Sequence, residues 1–167
     1  SRGLVFKTEI KNFDSVTTPA LPFGWSTYVS STGSSAYVKN YSSPTNYALS
    51  PPNCISFNNF SDASAQLILI TPEILTPLNI MRLKFNARGA VSGYVLQVGT
   101  ISSPTGIFNS LTTVNLTNTM QQYSISFTGY SGTDRFIAIK HNLGGTNRNI
   151  YLDNFYLEEL LTNDLAV

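Results

Sequence analysis

The chain offers few side chains that could carry out catalysis. Among its 167 residues there is a single histidine, His141, which ends a predicted strand and precedes a turn. A nucleophilic enzyme needs a base beside its nucleophile, and the sequence has neither a Gly-x-Ser-x-Gly elbow nor a His-Glu-x-x-His motif. The acids are few and scattered, so a carboxylate pair for glycoside hydrolysis is not indicated. The sequence therefore predicts a protein that is not an enzyme.

One carboxylate stands out because of its surroundings, namely Asp153 in the segment 149–158 (NIYLDNFYLE). This segment is predicted to be a strand, since it is rich in aliphatic and aromatic residues and contains neither proline nor glycine. Alternation along a strand places Asp153 on one face with Tyr151 and Phe155. A carboxylate there needs a partner, because burying an unpaired charge costs free energy. A bound cation or hydrogen bonds from loop N–H groups would serve, and the sequence leaves both open.

Aromatic side chains in polar surroundings indicate a second kind of chemistry, the recognition of sugars. Aromatic rings pack against the C–H faces of sugars, while Asn, Gln, Arg or Asp side chains bind the hydroxyls. The candidate ligand-binding residues of these types are Trp25, Tyr28, Tyr41, Tyr47, Asn147 and Arg148. For Trp25 the alternative is a core position under the proline-rich segment 16–25. We expect Tyr41 and Tyr47 to be exposed, because Ser, Thr, Asn and Pro flank them.

The elements that must position these residues are predicted to be strands. Charged residues make up 11% of the chain and the formal net charge is +1, so nothing indicates binding to nucleic acid or to an anionic membrane. No apolar run approaches the ~20 residues of a membrane span. Short alternating segments separated by Gly, Pro and Asn predict an all-β fold, a jelly-roll β-sandwich of two antiparallel sheets. Residues 1–160 would form this single domain, and residues 161–167 a C-terminal linker or tail.

The predicted strands follow one another along the whole chain. The clearest is 80–87, where apolar and polar residues alternate. Others are predicted at 4–10, 54–60, 66–70, 93–99, 111–116, 122–127, 136–141 and 149–158. Residues 25–38 alternate only weakly, and residues 39–53 (KNYSSPTNYALSPPN) are predicted to be a long loop. The single cysteine, Cys54, excludes an internal disulfide and is predicted to be a buried apolar residue.

Several motifs resemble, in the same order, those of a known group of secreted domains. Residues 13–25 (FDSVTTPALPFGW) look like the opening of the MAM-like and cleaved-adhesin jelly rolls of secreted Bacteroidetes proteins. Residues 51–57 (PPNCISF), 69–74 (LITPEI), 136–141 (FIAIKH) and 150–155 (IYLDNF) are similar to later landmarks of that group.

That resemblance implies a function of binding rather than catalysis. The expected role is a non-catalytic adhesin-like or accessory binding domain of a secreted or cell-surface bacterial protein. The alternative is a carbohydrate-binding module that targets a secreted enzyme to a polysaccharide. The implied partners are a glycan, an extracellular protein or neighbouring domains of the parent protein, with no nucleic acid and no membrane insertion.

The resemblance also implies a structural calcium ion, which members of that group often hold between the first and last strands. The implied ligands are Asp153 from the last strand and either Glu9 or Asp14 from the N-terminal part, and Asp62 is a weaker candidate. Calcium binds about 6–8 oxygens, several of which irregular loops can supply as backbone carbonyls. We therefore expect the two ends of the chain to lie side by side in one sheet, with the carboxylate of Asp153 neutralised where they meet.

Overall fold

The computed structural model describes residues 9–43, 47–141 and 144–160, which fold into a sandwich of antiparallel strands. The strands are β1 (Glu9–Lys11), β2 (Ser26–Ser30), β3 (Tyr37–Ser42), β4 (Asn53–Asn58), β5 (Gln66–Ile70), β6 (Met81–Gly89), β7 (Val95–Ile101), β8 (Phe108–Asn115), β9 (Gln121–Ser126), β10 (Phe136–His141) and β11 (Asn149–Glu159). Within those ranges the one helical element is a 3-10 turn, Leu78–Ile80, and no helix there is long and apolar enough to cross a bilayer. Residues 4–8 of the predicted first strand, and the predicted tail 161–167, lie outside the described residues.

The strands form two sheets that face each other. Sheet A has the order β3-β4-β11-β6-β9, with β1 pairing with β11 as well, and sheet B has the order β2-β5-β10-β7-β8. The predicted all-β jelly-roll β-sandwich of two antiparallel sheets is confirmed. In sheet A, Glu9 of β1 lies opposite Leu157 of β11, and Lys11 lies opposite Phe155. The expectation that the two ends of the chain pair in one sheet is therefore confirmed.

The core fills the space between the inner faces of the sheets. β6 shows how the sequence builds it, because buried and half-buried residues alternate along the whole strand. Leu83 and Phe85 face inward, and they share one buried cluster with Leu96 and Ile139 of sheet B. Burying a side chain of this size contributes about 1.5–3 kcal/mol. A one-residue slip would turn the apolar residues outward, so alternation fixes the register.

A β-bulge interrupts the alternation of β11 and changes one prediction. The pairing of β11 with β6 shifts register between Asp153 and Tyr156, where Asn154 adopts the left-handed region with φ of 48°. Beyond the bulge Phe155 and Leu157 face the core. Asp153 precedes the bulge and does not share a face with them, so the predicted grouping of Asp153 with Phe155 was wrong. An extra residue in a strand has this effect because side chains alternate with a period of two.

The segment 39–53 contains more strand than predicted. β3 extends to Ser42, so the prediction of a loop was wrong for residues 39–42. These residues lack the alternation of apolar residues that marks a strand, because the inward position that follows Val38 is occupied by Asn40. Both Val38 and Asn40 are buried. Pairing of β3 with β4, in which Tyr41 lies opposite Cys54, supplies the main-chain hydrogen bonds that composition does not reveal.

Candidate functional site

Four tyrosines gather on the outer face of sheet A. Tyr37 and Tyr41 of β3 and Tyr151 of β11 point outward, because their strand neighbours point into the core. Tyr47, from the segment that follows β3, stacks on Tyr151 with ring centroids 4.5 Å apart and planes inclined by 14°. The ring of Tyr41 lies 6.3 Å from that of Tyr151. We call these four residues the tyrosine row.

Tyr151 lies at the bottom of the row. Burial raises the pKa of its phenol to about 12, and the neighbouring phenols of Tyr47, Tyr37 and Tyr41 add to the shift. Tyr151 therefore stays protonated at neutral pH and supports the rings above it. Tyr37, Tyr41 and Tyr47 are each half-buried, so part of each residue remains accessible to a ligand. The predicted exposure of Tyr41 and Tyr47 is thus confirmed in part.

A groove of about 460 Å³ lies on the same face. Its lining residues come from the outer positions of β6, β9 and β11 and from the segment after β3, and they are Leu49, Lys84, Asn86, Gln122, Asn154, Tyr156 and Glu158. Lys84, Asn86 and Arg88 are successive outer residues of β6, and Arg88 lies opposite Tyr151. The guanidinium of Arg88 is 5.1 Å from the centre of the Tyr47 ring. The groove and the tyrosine row therefore lie on the same outer face of the sheet, which we call the sheet A face.

Glu158 is the carboxylate at one end of the groove, and two cations hold it. Its Oε1 accepts hydrogen bonds from Arg82 Nε at 2.5 Å and lies 3.2 Å from Lys84 Nζ. Burial acts to raise the pKa of Glu158, but the hydrogen bonds and charges of Arg82 and Lys84 outweigh it and hold the pKa below its usual value. Glu158 is therefore ionised and neutralised within the protein.

Asp153 fastens the segment that carries Tyr47 to the sheet. Its Oδ2 accepts hydrogen bonds from Leu49 N at 2.8 Å, from Ser50 N at 2.9 Å and from Ser50 Oγ at 3.3 Å. Its Oδ1 accepts one from Asn154 N at 2.8 Å. Complete burial raises the pKa of Asp153 to about 6, although the hydrogen bonds act to lower it. The structure thus gives Asp153 hydrogen bonds from loop N–H groups, one of the two kinds of partner that the sequence left open.

Asparagine side chains join the opening segment to β3 and β4. Asn40 Nδ2 donates to the carbonyl oxygens of Phe13 and Val16, each at 3.2 Å, and Asn53 Nδ2 donates to the same two oxygens at 3.0 Å. Asp14 Oδ1 accepts a hydrogen bond from Asn53 N at 2.8 Å. Four side-chain bonds to two carbonyls hold residues 13–16 in place.

The predicted calcium ligands can now be placed. Asp14 and Asp153 both lie near Cys54. Burial raises the pKa of the Cys54 thiol to about 12, and the negative charges of Asp153 and, to a smaller extent, Asp14 add to this shift. Glu9 lies in β1, but its side chain is outside the described residues. Asp62 is held by Ser31, Thr32 and Ser64 in another cluster. Among the described residues no group of three His, Cys, Asp or Glu side chains is arranged so that it could hold a metal ion.

The hydrogen bonds at two of these carboxylates do not fit a bound ion. Asp62 Oδ2 accepts from Ser31 Oγ and Thr32 N, both at 2.7 Å, while its Oδ1 accepts from Ser64 N at 2.8 Å and Ser64 Oγ at 2.6 Å. These bonds hold the pKa of Asp62 well below its usual range. At Asp153 and at Asp62 both carboxylate oxygens accept hydrogen bonds from N–H or O–H donors. The calcium ion stays a prediction.

Trp25 belongs to the core, which corrects its place among the ligand-binding candidates. Its side chain is 7% exposed. The ring lies edge-on to Phe13 at 5.4 Å and to Phe155 at 4.9 Å. An aromatic ring enclosed on both sides cannot stack on a sugar. The alternative that the sequence offered, a core position under the proline-rich segment, is the one observed.

Three other candidates contact residues outside the tyrosine row. Tyr28 is 41% exposed, but it belongs to β2 of sheet B and lies opposite Ile68. Asn147 and Arg148 belong to the connection between β10 and β11. Asn147 N donates to Phe60 O at 2.6 Å, and the Arg148 guanidinium lies 4.8 Å from the ring of Tyr94. The structure therefore brings together Tyr41 and Tyr47 but not these three.

His141 is a buried structural residue. Its Nε2 lies 3.0 Å from Arg148 O, and its ring stacks on Phe57 with centroids 6.5 Å apart. Burial lowers the pKa of the imidazole. A neutral, enclosed imidazole cannot exchange protons with a ligand on the sheet A face.

A smaller cleft of about 290 Å³ lies between residues 74–79 and 130–135. It has one aromatic ring, Tyr130, whose phenol oxygen already accepts a hydrogen bond from Asp134 N at 2.8 Å. Asp134 in turn accepts hydrogen bonds from Thr100 Oγ1 and Asn109 Nδ2. The sheet A face, with several rings beside a larger groove, is the stronger candidate site.

Comparison with known proteins gives matches at the level of structure. No family model and no curated protein matches the sequence. A cleaved adhesin domain of Lys-gingipain from Porphyromonas gingivalis is 18% identical, with a TM-score of 0.70 over 92% of this chain and 99% of that chain. The family 11 carbohydrate-binding module from Clostridium thermocellum, solved in complex with a β-1,3-1,4-mixed-linked tetrasaccharide, is 13% identical, with a TM-score of 0.57 over 93% of this chain and 96% of that chain.

A third match lies within a larger enzyme. An arabinose-bound α-L-arabinofuranosidase is 18% identical, with a TM-score of 0.67, but the match covers 98% of this chain and only 28% of that chain. At such identities a match shows the fold and not the activity. The predicted resemblance is confirmed to that extent: the chain has the jelly-roll fold that cleaved adhesin domains share with sandwich-type carbohydrate-binding modules.

Proposed function

We propose that the chain is a non-catalytic binding domain of a secreted or cell-surface protein, and that it attaches that protein to a glycan along the sheet A face. The observation that carries the proposal is the tyrosine row beside the groove. A flat surface with buried aromatic residues would have favoured a protein partner. Rings that line up beside a groove favour the carbohydrate-binding alternative.

The chemistry of the face suits a sugar chain. Half-buried tyrosine rings offer apolar faces to the C–H groups of sugar rings. The amide side chains of Asn86, Gln122 and Asn154 in the groove each carry both donors and an acceptor, which hydroxyl groups require. Most of these residues stand on strands, whose paired backbones hold them at fixed spacing. A preformed surface of this kind binds with little loss of side-chain entropy.

Two further observations support binding without catalysis. Of the two carboxylates at outer positions of β11, Asp153 is enclosed by hydrogen-bond donors and Glu158 is held by two cations. Neither is poised as a general acid or base. The tetrasaccharide complex of the family 11 module supports the idea that a sandwich of this fold can hold a glycan.

The test is a glycan array followed by affinity electrophoresis in gels that contain the polysaccharides retained on the array. We expect the wild-type domain to be retarded, and Tyr47→Ala and Tyr156→Ala to weaken binding about tenfold or more, since ring truncation at a binding centre removes over ~1.4 kcal/mol. Tyr28→Ala is the matched control, because it removes an exposed tyrosine from sheet B. Equal losses in all three variants, or no retained glycan, would refute the proposal.

A further inference from the structure

The sheet A face carries a concentration of positive charge. At the outer positions of β3, β6 and β11 there are four cationic residues, Lys39, Arg82, Lys84 and Arg88, and two acidic residues, Asp153 and Glu158. β4 and β9 of the same sheet carry no charged residue. The net formal charge of these outer positions is thus +2, whereas the whole chain carries +1.

The outer surface of the sandwich is not uniformly basic. The five strands of sheet B contain one Lys, Arg, Asp or Glu residue between them, Lys140 of β10. Its ammonium lies 5.5 Å from the ring of Phe108. The charge on sheet A is therefore a property of one face, which is the face that also holds the rings and the groove.

A ligand on the sheet A face would meet the cations more directly than the acids. Asp153 is completely buried under the segment that carries Leu49 and Ser50, with both oxygens bonded. Glu158 forms ion pairs with Arg82 and Lys84. The side chains of Arg82 and Lys84 are 34% and 30% exposed, against 16% for Glu158.

Two of the cations lie against the rings that would stack on sugars. Lys39 Nζ is 4.1 Å from the centre of the Tyr37 ring, and the Arg88 guanidinium is 5.1 Å from that of Tyr47. A neutral sugar that covered the Tyr37 ring would remove water from the Lys39 ammonium and give no charge in return, which costs free energy. A carboxylate or sulfate on the sugar would offset that loss with a charge-assisted hydrogen bond.

We infer, on the basis of the proposed glycan-binding function, that the ligand of the sheet A face is an acidic polysaccharide. Its sugar rings stack on the tyrosine row, and its carboxylate or sulfate groups lie beside Lys39 and Lys84. The spacing of acidic groups along the ligand then determines which polysaccharide binds best.

The test compares two forms of one polymer, polygalacturonate and the same galacturonan fully esterified with methanol, which differ in charge but not in backbone. We expect the charged form to bind at least about tenfold more tightly in calorimetric titration. Raising the salt concentration from about 50 mM to about 500 mM should remove most of this difference, since screening shortens the range of exposed charges.

Charge-removing variants test whether the preference for the charged polymer depends on the sheet A face. Lys39→Gln combined with Lys84→Gln should weaken polygalacturonate binding about tenfold, because two charge contacts are lost and the face loses part of its positive potential. Arg135→Gln combined with Lys140→Gln removes the same charge away from sheet A and should leave binding within about twofold. Circular dichroism and melting temperatures show that both double variants are folded.

The outcomes separate the two proposals. Equal, salt-independent binding of a neutral β-glucan or of the esterified polymer would overturn the acidic-ligand inference and leave the glycan-binding proposal standing. Binding of polyglutamate or of an oligonucleotide as tightly as polygalacturonate would also overturn it, because charge alone would then suffice. If the folded domain binds no glycan of any charge, the glycan-binding proposal fails and the inference fails with it.

Discussion

Asp153 should make the stability of the domain fall as the pH rises. Its pKa is about 6 in the folded protein against an ordinary value of 3.8, so between these values the folded state holds a proton that the unfolded state has lost. A raised carboxyl pKa stabilises the fold fully below the lower value, and this contribution is lost as the pH rises through the upper one. With 1.36 kcal/mol for each unit of pKa difference, the whole contribution is about 3 kcal/mol, of which about 2.4 kcal/mol is lost between about pH 4 and about pH 7.5.

The comparison of the wild-type domain with Asp153→Asn isolates this contribution, because asparagine does not titrate. Urea unfolding followed by the fluorescence of the single tryptophan, Trp25, gives the free energy of unfolding at each pH. We expect the wild-type value minus the variant value to decrease by about 2.4 kcal/mol across the range. Cys54 does not contribute, since its thiol pKa of about 12 keeps it protonated. A difference that stays constant within about 0.5 kcal/mol would refute the burial of this carboxyl as the cause.

Three further predictions concern stability and reactivity. Gly99→Ala should destabilise the fold by about 3 kcal/mol or more, because its Cβ would lie 1.9 Å from Asn109 O of the paired strand, whereas Gly129→Ala, with open space around it, should change urea stability by less than about 0.5 kcal/mol. Cys54 should not react with a thiol reagent at pH 8 until urea unfolds the domain, and rapid labelling of the native protein would contradict its burial. Melting in calcium and in a chelator tests the predicted ion: a rise of several degrees in calcium would support it, and equal melting temperatures, which the hydrogen-bond donors at Asp153 favour, would contradict it.

The sequence predicted those parts of the fold in which local pattern and tertiary environment agree. In β6, buried and outward residues alternate as the sequence does, so its existence and register follow from the pattern alone. β3 was missed in part because Asn40 turns inward to donate hydrogen bonds to the opening segment, which breaks the apolar pattern. The bulge at Asn154 was missed because no local signal marks an asparagine that will adopt a positive φ.

The sheet A face was harder to predict than the fold, for a physical reason. Tyr28 and Tyr41 have similar polar neighbours in sequence, but β2 joins sheet B and β3 joins sheet A, and strand order decides which rings meet. The groove residues Lys84, Asn86 and Tyr156 occupy outward positions that look like those of any solvated strand. The available signal was the row of basic residues at alternate positions of β6, which a pattern search for core residues passes over.

The way in which Asp153 holds the segment after β3 has a consequence for how this surface can diversify. The carboxylate bonds to the main-chain N–H groups of Leu49 and Ser50 and to the hydroxyl of Ser50, and it makes no bond to the side chains at positions 47 and 49. Those two positions can therefore change while the attachment persists. A library that varies Tyr47 and Leu49 and keeps Ser50 and Asp153 should yield folded domains with altered ligand preference, and natural relatives would be free to explore the same variation.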